Sequence, residues 1–520
     1  MCKLCDEGKP QDHSASLPGS RRDFLKASAA TGAAAAGLSL FSSSAAADPG
    51  GQAPVDTGRP DRRYVIRGGH VMSMDPAVGD FVKADVLVEG KKIVAVGPNL
   101  RVRGAGEIDA RGRIVMPGFI DTHHHQFETA LRSFLADGLL FNDGQPHGEI
   151  NYFQYILGTF APVYRPQDVY INELFGALSQ LDAGVTTTHD ISQIHHSPEH
   201  SDAAIAGIYA SQRRTAFGYF ESASADFQGA PGNQYPQDAR RIRQQYFSSD
   251  DQLVTMIMGG EIYLGEAVRQ QSWAIGRELG LQVAAHIVGS FGMQPGFDAL
   301  AAAGEIRSDN LFIHMTGMSD IGWQAVKDAG ARVSLAVPIE MNMRHGTPPI
   351  LKTMDMGIEP SLSVDVECTL TADMFTQMRS TMALQRMFMN ARWLNEQYAT
   401  GFPDLPLLTT RDVLRFATLQ GAIDLRLDHK VGSLKPGKEA DIIILDAEAI
   451  NVAPLNVVPG AVVSLMERSN VETVIVAGKL RKWKGRLLDV NLPKLRRELE
   501  NSRDFLFHAA GIEQDLFRPN

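Results

Sequence analysis

Short apolar segments alternate with longer amphipathic segments through the middle of this chain, and this alternation is typical of repeated βα units. Eight of the apolar segments have the length of buried strands. They cover residues 115–120, 184–190, 215–220, 253–258, 281–286, 311–314, 333–337 and 361–365. Eight consecutive units with right-handed crossovers predict an α/β protein built on a distorted (β/α)8 TIM barrel, with its site at the C-terminal ends of the strands.

The first predicted barrel strand runs into the sequence Asp121-Thr-His-His-His125. Side chains two residues apart on a strand point to the same side, so His123 and His125 present two imidazoles in one direction and His124 points the opposite way. Two imidazoles at a strand end provide half of a transition-metal site. A histidine-rich strand end without a metal is the alternative, and the apolar segment together with Asp121 favours the metal site.

The first 47 residues have the features of an export signal. Ser20-Arg-Arg-Asp-Phe-Leu-Lys26 precedes an alanine-rich segment at 27–41 and a small-residue cleavage site near Ala47. This combination matches the twin-arginine type, which exports folded proteins, and the apolar segment is too short for a membrane anchor. We therefore expect the mature protein in the periplasm or outside the cell, without Cys2 and Cys5.

The segment from Pro117 to His125, Pro-Gly-Phe-Ile-Asp-Thr-His-His-His, resembles the first barrel strand of the amidohydrolase superfamily. That strand follows the pattern Pro-Gly-hydrophobic-hydrophobic-Asp-x-His-x-His. The resemblance covers most of residues 64–489 and is strongest to the branch that contains cytosine deaminase, the adenosine-type and guanine deaminases and the triazine hydrolases. It implies a metal-dependent hydrolase in which metal-activated water cleaves a non-peptide C–N bond of a cyclic amide, amidine or amino-heterocycle.

Strand patterns also flank the barrel, at 64–66, 84–88 and 92–96 before it and within 432–446 and 474–485 after it. In the superfamily that the chain resembles, such strands form a small β-sandwich domain shared between N- and C-terminal segments. The predicted division is a signal peptide at 1–47, a β-sandwich from 48–117 and 430–490, the barrel at 118–429 and a C-terminal tail at 491–520.

The same resemblance implies a site of five side chains at strand ends. His123, His125, His286 and Asp365 are expected to ligate one divalent metal ion, with zinc as the first choice and iron as the alternative. Asp365 is also expected to take the proton of the water and pass it to the leaving group. His314 is expected to touch the metal, its water or the substrate, and to polarise the carbonyl or imine or stabilise the oxyanion.

The number of metal ions depends on a bridging group. Relatives with two metals often bridge them with a carboxylated lysine from the third or fourth strand, but no lysine occurs between Asp121 and Lys327. Glu221 and Glu261 end those two strands and are the alternative bridges. The sequence therefore favours a mononuclear site and leaves a glutamate bridge open.

One position departs from the pattern of the deaminase-like relatives, which carry a glutamate about three residues after the fifth-strand histidine and use it to protonate a ring nitrogen. This chain has Gly289 there, in His286-Ile-Val-Gly289. Glu340, after the seventh strand, and Glu261 are the candidate catalytic replacements as proton shuttles. The alternative is an amide, lactam or ester-like substrate that needs no such protonation.

Two further segments are candidates for the pocket wall. The aromatic sequence Tyr152-Phe-Gln-Tyr155 is placed to cover the site and contact an unsaturated ring. His195, His196 and His200 follow the second strand, where loops line pockets in this fold. The alternative for these histidines is simple solvation.

Composition and charge exclude other classes of function. A hydrophobic fraction of 44% and a charged fraction of 21% are typical of a soluble globular protein. A net charge of -10 gives no basic surface for nucleic acid or anionic membranes. The expected partner is a small-molecule substrate, and self-association into a homo-oligomer stays open.

Two other functions compete with the main prediction. One is a chlorohydrolase or another metal-dependent hydrolase or lyase that uses the same site. The other is a catalytically silent, exported binding protein that keeps the barrel. The presence of all five site residues argues against the silent protein.

Overall fold

The computed structural model describes residues 53–223, 233–395 and 407–517, which form two β-sheets and the helices around them. The signal segment, Cys2 and Cys5 lie outside the described residues. The strands are β1 (Arg63–Met72), β2 (Asp80–Glu89), β3 (Lys92–Gly97), β4 (Gly106–Asp109), β5 (Arg113–Pro117), β6 (Phe119–His124), β7 (Val185–Ser192), β8 (Arg214–Tyr219), β9 (Val254–Gly259), β10 (Val283–Ile287), β11 (Asn310–His314), β12 (Arg332–Leu335), β13 (Ser361–Leu362), β14 (Ile442–Asp446), β15 (Val471–Val476), β16 (Lys479–Trp483) and β17 (Arg486–Leu487).

The helices lie mainly between the barrel strands, and a few follow the barrel. They are α1 (Pro166–Asp182), α2 (Pro198–Ser211), α3 (Ala239–Tyr246), α4 (Glu266–Glu278), α5 (Gln294–Ala302), α6 (Asp320–Ala329), α7 (Val337–Asn342), α8 (Ile350–Met356), α9 (Met374–Asn395), α10 (Thr410–Arg415), α11 (Gly421–Asp424), α12 (Val458–Ser464) and α13 (Leu492–Ala510). Among the described residues, no helix combines the length and apolar character that crossing a membrane requires.

The strands β6 to β13 form an eight-stranded parallel sheet in chain order, and this confirms the predicted barrel. The last strand, β13, has two residues, so the barrel closes just beyond it through a parallel bridge between His124 and Asp365. Asp365 N donates to His123 O at 2.9 Å, and His125 N donates to Asp365 O at 2.9 Å. Three predicted site residues, His123 and His125 from the first barrel strand and Asp365 from beyond the last one, therefore lie where the barrel closes.

The apolar segment 115–120, predicted as one strand, is two strands in two different sheets. Residues up to Pro117 belong to β5, which pairs with β1 and β14 in the small domain, whereas β6 begins at Phe119 in the barrel. A Cβ at Gly118, between them, would lie 2.2 Å from the Thr186 side chain. Glycine is needed because the chain passes this close to the second barrel strand as it changes sheets.

The predicted seventh strand is also shorter than expected. It ends at Leu335, and Val337 already begins α7. Pro338 lies in the first turn of that helix, where a missing backbone N–H has no cost. An apolar sequence cannot by itself distinguish a buried strand from the start of a buried helix, which explains the error.

The small domain is one nine-stranded sheet in the order β17-β16-β15-β14-β5-β1-β2-β3, with β4 beside β1. Its N-terminal and C-terminal strands meet where β5 pairs antiparallel with β14. Buried residues from both halves, including Ile66, Val86 and Ile444, form a separate core on one face.

A buried charge cluster connects this sheet to the barrel. Arg214 of β8 donates from Nε to Asp441 Oδ2 at 2.9 Å and from Nη2 to Glu439 Oε2 at 2.6 Å. All three side chains are buried, so each charge depends on its partners to offset the loss of water.

The segment predicted as a C-terminal tail contains the 19-residue helix α13. The helix packs on the barrel, where Phe507 has ring contacts with Phe134 at 5.6 Å and Phe160 at 5.1 Å. The guanidinium of Arg165 lies 3.3 Å from the ring centroid of Phe505. The C-terminal segment therefore covers the outside of the first βα unit.

Candidate active site

A pocket opens at the C-terminal ends of the barrel strands and spans about 440 Å³, counting the space at its mouth that is open to solvent. Its wall combines a cluster of imidazoles and one carboxylate with a mainly apolar surface. The lining residues are His125, Leu140, Tyr152, Phe153, Leu157, Gln193, Tyr263, His286, Val288, Phe291, His314, Met343, His345, Asp365 and Val366.

Three imidazole nitrogens converge at the base of this pocket. His123 Nε2 lies 3.0 Å from His125 Nε2 and 3.0 Å from His286 Nε2. Asp365 Oδ1 lies 3.5 Å from the Nε2 atoms of both His123 and His125. The structure thus brings together the four side chains that the sequence predicts as metal ligands, from β6, β10 and the segment after β13.

His314 adds a further imidazole on the other side of the carboxylate. Its Nε2 lies 3.5 Å from Asp365 Oδ2. His314 and Asp365 have φ values of 72° and 68°, a left-handed conformation that residues with a Cβ rarely adopt. Such backbone strain concentrates at functional sites, and here it occurs at two strand ends that supply predicted site residues.

The hydrogen bonds of the Nδ1 atoms determine which ring nitrogens of His125 and His286 are unprotonated. His125 Nδ1 donates to Gln193 Oε1 at 2.7 Å, and His286 Nδ1 donates to Glu261 Oε1 at 2.6 Å. In the neutral imidazoles both Nε2 atoms are then unprotonated and are directed at His123. His123 Nδ1 has no hydrogen-bond partner among the described residues, so nothing there prevents its Nε2 from being unprotonated as well, and three such nitrogens beside a carboxylate fit a divalent metal ion.

Burial favours the uncharged, ligating form of three of these imidazoles, whereas at His286 the lowering by burial is outweighed by the Glu261 carboxylate, which raises the pKa. It lowers the pKa values of His123, His125 and His314 well below the ordinary value for histidine. Burial also raises the pKa of Asp365 to about 7, against an opposing effect of His286. A cation at the cluster would favour the ionised carboxylate.

The structure places Glu261 and Glu340 behind imidazoles and does not bring either to the pocket wall among the described residues. Glu261 accepts from the Nδ1 atom and the backbone N of His286. Glu340 Oε1 accepts from His314 Nδ1 at 3.1 Å and from Ala336 N at 2.9 Å. This placement favours a role in orienting the two imidazoles over the predicted role of substrate-side proton shuttle.

His124 lies away from the cluster, as the strand alternation predicts. Its side chain is fully buried, and its Nε2 is 3.9 Å from Glu367 Oε2. The Cα partner of His124 on β7 is Asp190, which has its pKa raised to about 7 by burial. Neither His124 nor Asp190 lines the pocket.

The histidines after the second strand have structural hydrogen bonds and do not line the pocket. His195 contacts Ser201 Oγ at 2.9 Å and Ser192 O at 2.8 Å. His196 bridges Ser222 Oγ and Ala161 O in the same way. His200 is also hydrogen-bonded at both ring nitrogens. His195 and His196 are buried and His200 is partly exposed, and none of the three lines the pocket.

Sequence reasoning missed three polar residues of the pocket wall, Gln193, Tyr263 and His345. Gln193 follows β7, and the sequence around it does not indicate a role in the site, because that role depends on its hydrogen bond with His125 from another strand. His345 follows α7, and its Nε2 lies 4.0 Å from Asp365 Oδ2. A histidine on a loop at the C-terminal face of a barrel is the signal that was available for His345. Tyr152 and Phe153, predicted to cover the site, do line the pocket.

Gly289 occupies the position at which a glutamate was expected from the resemblance, and no side chain fits there. A Cβ at Gly289 would lie 2.7 Å from Thr316 O and 2.9 Å from the Cα of Gly317. Gly289 N donates to Thr316 Oγ1 at 3.0 Å, and Thr316 Oγ1 donates to His345 O at 2.8 Å. Two loop backbones are in close contact at this position, and the backbone of Thr316 and Gly317 fills the space that a side chain would need.

Comparison with known proteins shows what the chain is similar to. A family model described as the amidohydrolase family matches residues 114–481, and a model of the twin-arginine translocation signal matches residues 20–37. The 5'-deoxyadenosine deaminase of Methanosarcina mazei is 24% identical over 85% of this chain and 98% of the relative. The 5-methylthioadenosine/S-adenosylhomocysteine deaminase of Pelotomaculum thermopropionicum is 25% identical over 84% of this chain and 97% of the relative.

Solved structures share the fold. An adenosine deaminase from Xanthomonas campestris with bound zinc superimposes with a TM-score of 0.72 at 21% identity, over 86% of this chain and all of that chain (100%). A mutant atrazine chlorohydrolase of Arthrobacter aurescens, complexed with zinc and atraton, superimposes with a TM-score of 0.72 at 19% identity, over 85% of this chain and 100% of that chain.

Proposed function

Because this chain belongs to the amidohydrolase family and is a hydrolase of C–N bonds other than peptide bonds, we propose that it cleaves a cyclic amide, amidine or amino-heterocycle at a single zinc site. The observation that carries the proposal is the convergence of the His123, His125 and His286 nitrogens and the Asp365 carboxylate at the pocket base. Both zinc-containing structures reported above have the same fold.

His123, His125, His286 and Asp365 are the residues that would hold the zinc ion. The surroundings support one ion over two. Glu221, a candidate bridge, accepts from Gln193 Nε2 at 2.7 Å and from the Tyr263 hydroxyl. Glu261, the other candidate bridge, is occupied by His286 at 2.6 Å. With both glutamates turned to protein donors, the bridge that a second ion requires is missing from the described residues.

When bound, a divalent ion at this position lowers the pKa of a water molecule to roughly 7 and so makes hydroxide available near neutral pH. Asp365 lines the pocket and faces His123 with Oδ1 and His314 with Oδ2, so it can accept the water proton and deliver it to the leaving amine. The apolar wall excludes bulk water and strengthens these electrostatic interactions.

The hydrogen bond from His314 Nδ1 to Glu340 refines the role of His314. A neutral imidazole that donates from Nδ1 has only a lone pair at Nε2, and burial keeps His314 neutral by lowering its pKa. Stabilisation of an oxyanion would require an N–H at Nε2. We infer that His314 instead accepts a hydrogen bond from the attacking water and orients it, with Glu340 fixing the tautomer.

Metal dependence is the test of this function. Protein purified without chelators is expected to contain about one zinc per chain and to hydrolyse members of a panel of cyclic amides and amino-heterocycles. Removal of the metal by a chelator should abolish hydrolysis, and added zinc should restore it. Protein that folds normally but contains no stoichiometric metal and hydrolyses nothing in the panel would instead support the silent binding protein.

Glu261→Gln and Glu340→Gln test the orienting roles of the two glutamates. Each variant keeps a hydrogen-bond acceptor but replaces the carboxyl group that orients its imidazole partner. Loss of such support typically costs about 10- to 100-fold in metal affinity or activity. We expect Glu261→Gln to weaken zinc binding by this factor, measured by competition with a chromogenic chelator, and to recover kcat in excess zinc.

Glu340→Gln should lower kcat at full metal content, because its partner orients the water and is not a predicted ligand. A proton shuttle would behave differently from both. If either variant lost most of its kcat at saturating zinc together with one limb of the pH–rate profile, the substrate-side role predicted from the sequence would be supported.

We propose that the mature enzyme acts outside the cytoplasm, in the periplasm or beyond it. The matched twin-arginine signal at residues 20–37 supports this proposal. The route carries folded proteins, which suits an enzyme that acquires its metal before export.

A further inference from the structure

Most polar groups on the pocket wall are already engaged by the protein. The Tyr152 hydroxyl donates to Glu128 Oε1 at 2.6 Å, and the Tyr263 hydroxyl donates to Glu221. Gln193 uses its oxygen for His125 and its nitrogen for Glu221, each at 2.7 Å. These side chains therefore present ring faces and methylene groups to the pocket while their hydrogen bonds run into the wall.

Apart from the predicted metal ligands and from His314 and His345, the rest of the wall is apolar. Phe153 and Phe291 pack edge to face at 5.0 Å between ring centroids, beside Leu157 and Val288. Among the described lining residues there is no lysine or arginine, and Asp365 is the only carboxylate. The described part of the wall therefore offers no lysine or arginine to a substrate carboxylate or phosphate, and few unengaged polar groups to the hydroxyls of a sugar.

His345 is the exception on this wall. It is 96% buried, since its relative exposure is 4%, and its Nδ1 has no hydrogen-bond partner within the described residues. Its ring centroid lies 4.6 Å from that of His314. The backbone O of His345 is held by Thr316 Oγ1, which is in turn held by Gly289 N. The ring lines the pocket from a fixed loop, with Nδ1 enclosed and Nε2 at 4.0 Å from Asp365 Oδ2, so Nε2 is the nitrogen placed to meet a substrate.

We propose that His345 orients the substrate by a hydrogen bond, and that the substrate is an uncharged, largely apolar ring compound without a sugar, carboxylate or phosphate. The proposal rests on the proposed function, because it concerns the same pocket. A charge or an unpaired hydroxyl buried against this wall would lose its hydration without gaining a hydrogen bond or an ion pair from the wall. Binding would therefore be weaker. A planar ring with one polar edge satisfies His345 and packs its faces on the aromatic side chains.

The first experiment compares two pairs of probes, and the members of each pair share a ring but only one of them carries an excluded group. The pairs are 9-ethyladenine with adenosine, and acetanilide with 4-acetamidobenzoate. Binding to the zinc-loaded protein is measured by isothermal titration calorimetry, and hydrolysis of the same compounds is followed in parallel. The uncharged, sugar-free member of a pair should bind at least about tenfold more tightly than its partner. Equal or tighter binding of adenosine and 4-acetamidobenzoate, or no binding of either neutral compound, would overturn the proposal.

The second experiment tests His345 itself. His345→Phe keeps a flat ring but removes both nitrogens, and it should raise the KM or Kd of the neutral compound by about tenfold or more at unchanged zinc content. His345→Gln, which keeps a polar group near the position of Nε2, should recover most of this loss. His429→Phe, the same change at an exposed histidine, is the matched control. An unchanged KM and Kd in His345→Phe would remove His345 from the proposal.

The two proposals fail in different ways. Absence of zinc-dependent hydrolysis with a retained preference for neutral rings would contradict the proposed function alone. Zinc-dependent hydrolysis with a preference for adenosine or 4-acetamidobenzoate would contradict the substrate class alone.

Discussion

Replacement of His123 by alanine should abolish hydrolysis and the binding of zinc together. His123 Nε2 is the centre of the cluster, 3.0 Å from the nitrogens of both His125 and His286. Even residues that only support a ligand contribute about 10- to 100-fold, so loss of a central ligand should lower kcat/KM by more than about 100-fold. The measurements are metal content by atomic emission and kcat/KM under matched zinc concentrations.

His124→Ala is the control that isolates ligation from simple disruption of the strand. Both histidines are fully buried, so both substitutions leave a cavity of similar size. We expect His124→Ala to lower the melting temperature but to retain about one zinc per chain, because its ring faces Glu367 and not the cluster. Equal loss of zinc in the two variants would show that the alternation of side chains along β6 does not determine the site.

The second large effect is expected from Asp365→Asn. The amide keeps the shape and an oxygen that is able to ligate, but it cannot take up a proton at the pH of the reaction. General acid–base catalysis contributes about 10²- to 10⁴-fold, and kcat should fall within this range. A high zinc concentration in the assay separates this loss from weaker metal binding, and KM should change much less than kcat.

Asp424→Asn is the matched control for this variant. Like Asp365, Asp424 is buried, and burial raises its pKa to about 7, but it lies near the opposite end of the barrel beside Gln420. Its replacement should leave kcat unchanged. If Asp365→Asn retained more than a tenth of the wild-type kcat at saturating zinc, another group would have to move the proton.

The residues that converge on the metal site could be predicted because each has a local signature. His286 and His314 each lie at or next to the end of an apolar strand, and parallel barrel strands bring their C-terminal ends to one face. His123 and His125 follow from the alternation of side chains on a single strand. Asp365 is the last residue of the eighth apolar segment, and the family resemblance assigns its role, although only two residues of that segment form a strand.

The orientation of the supporting groups could not be predicted in this way. The sequence predicts Glu261 at the C-terminal end of the fourth barrel strand, at the mouth of the barrel. In the structure its carboxylate turns toward His286 and away from the pocket. The direction of a side chain at a strand end depends on the neighbouring strand, which one segment does not contain. His345 comes close to Asp365 only because its backbone is hydrogen-bonded to the loops that contain Gly289 and Thr316. The sequence of one loop does not contain that contact.

The pairing of β5 with β14 has a consequence for the order of events during synthesis. Met116 pairs with Ile443, and the whole barrel lies between them in the chain. The small sheet therefore stays incomplete, with β5 exposed along one edge, until the ribosome has made almost the entire polypeptide. A pathway that threads the chain across the membrane as it emerges would separate these two strands in different compartments. Transport of the finished protein keeps them together, and the twin-arginine signal at the N-terminus is consistent with that constraint.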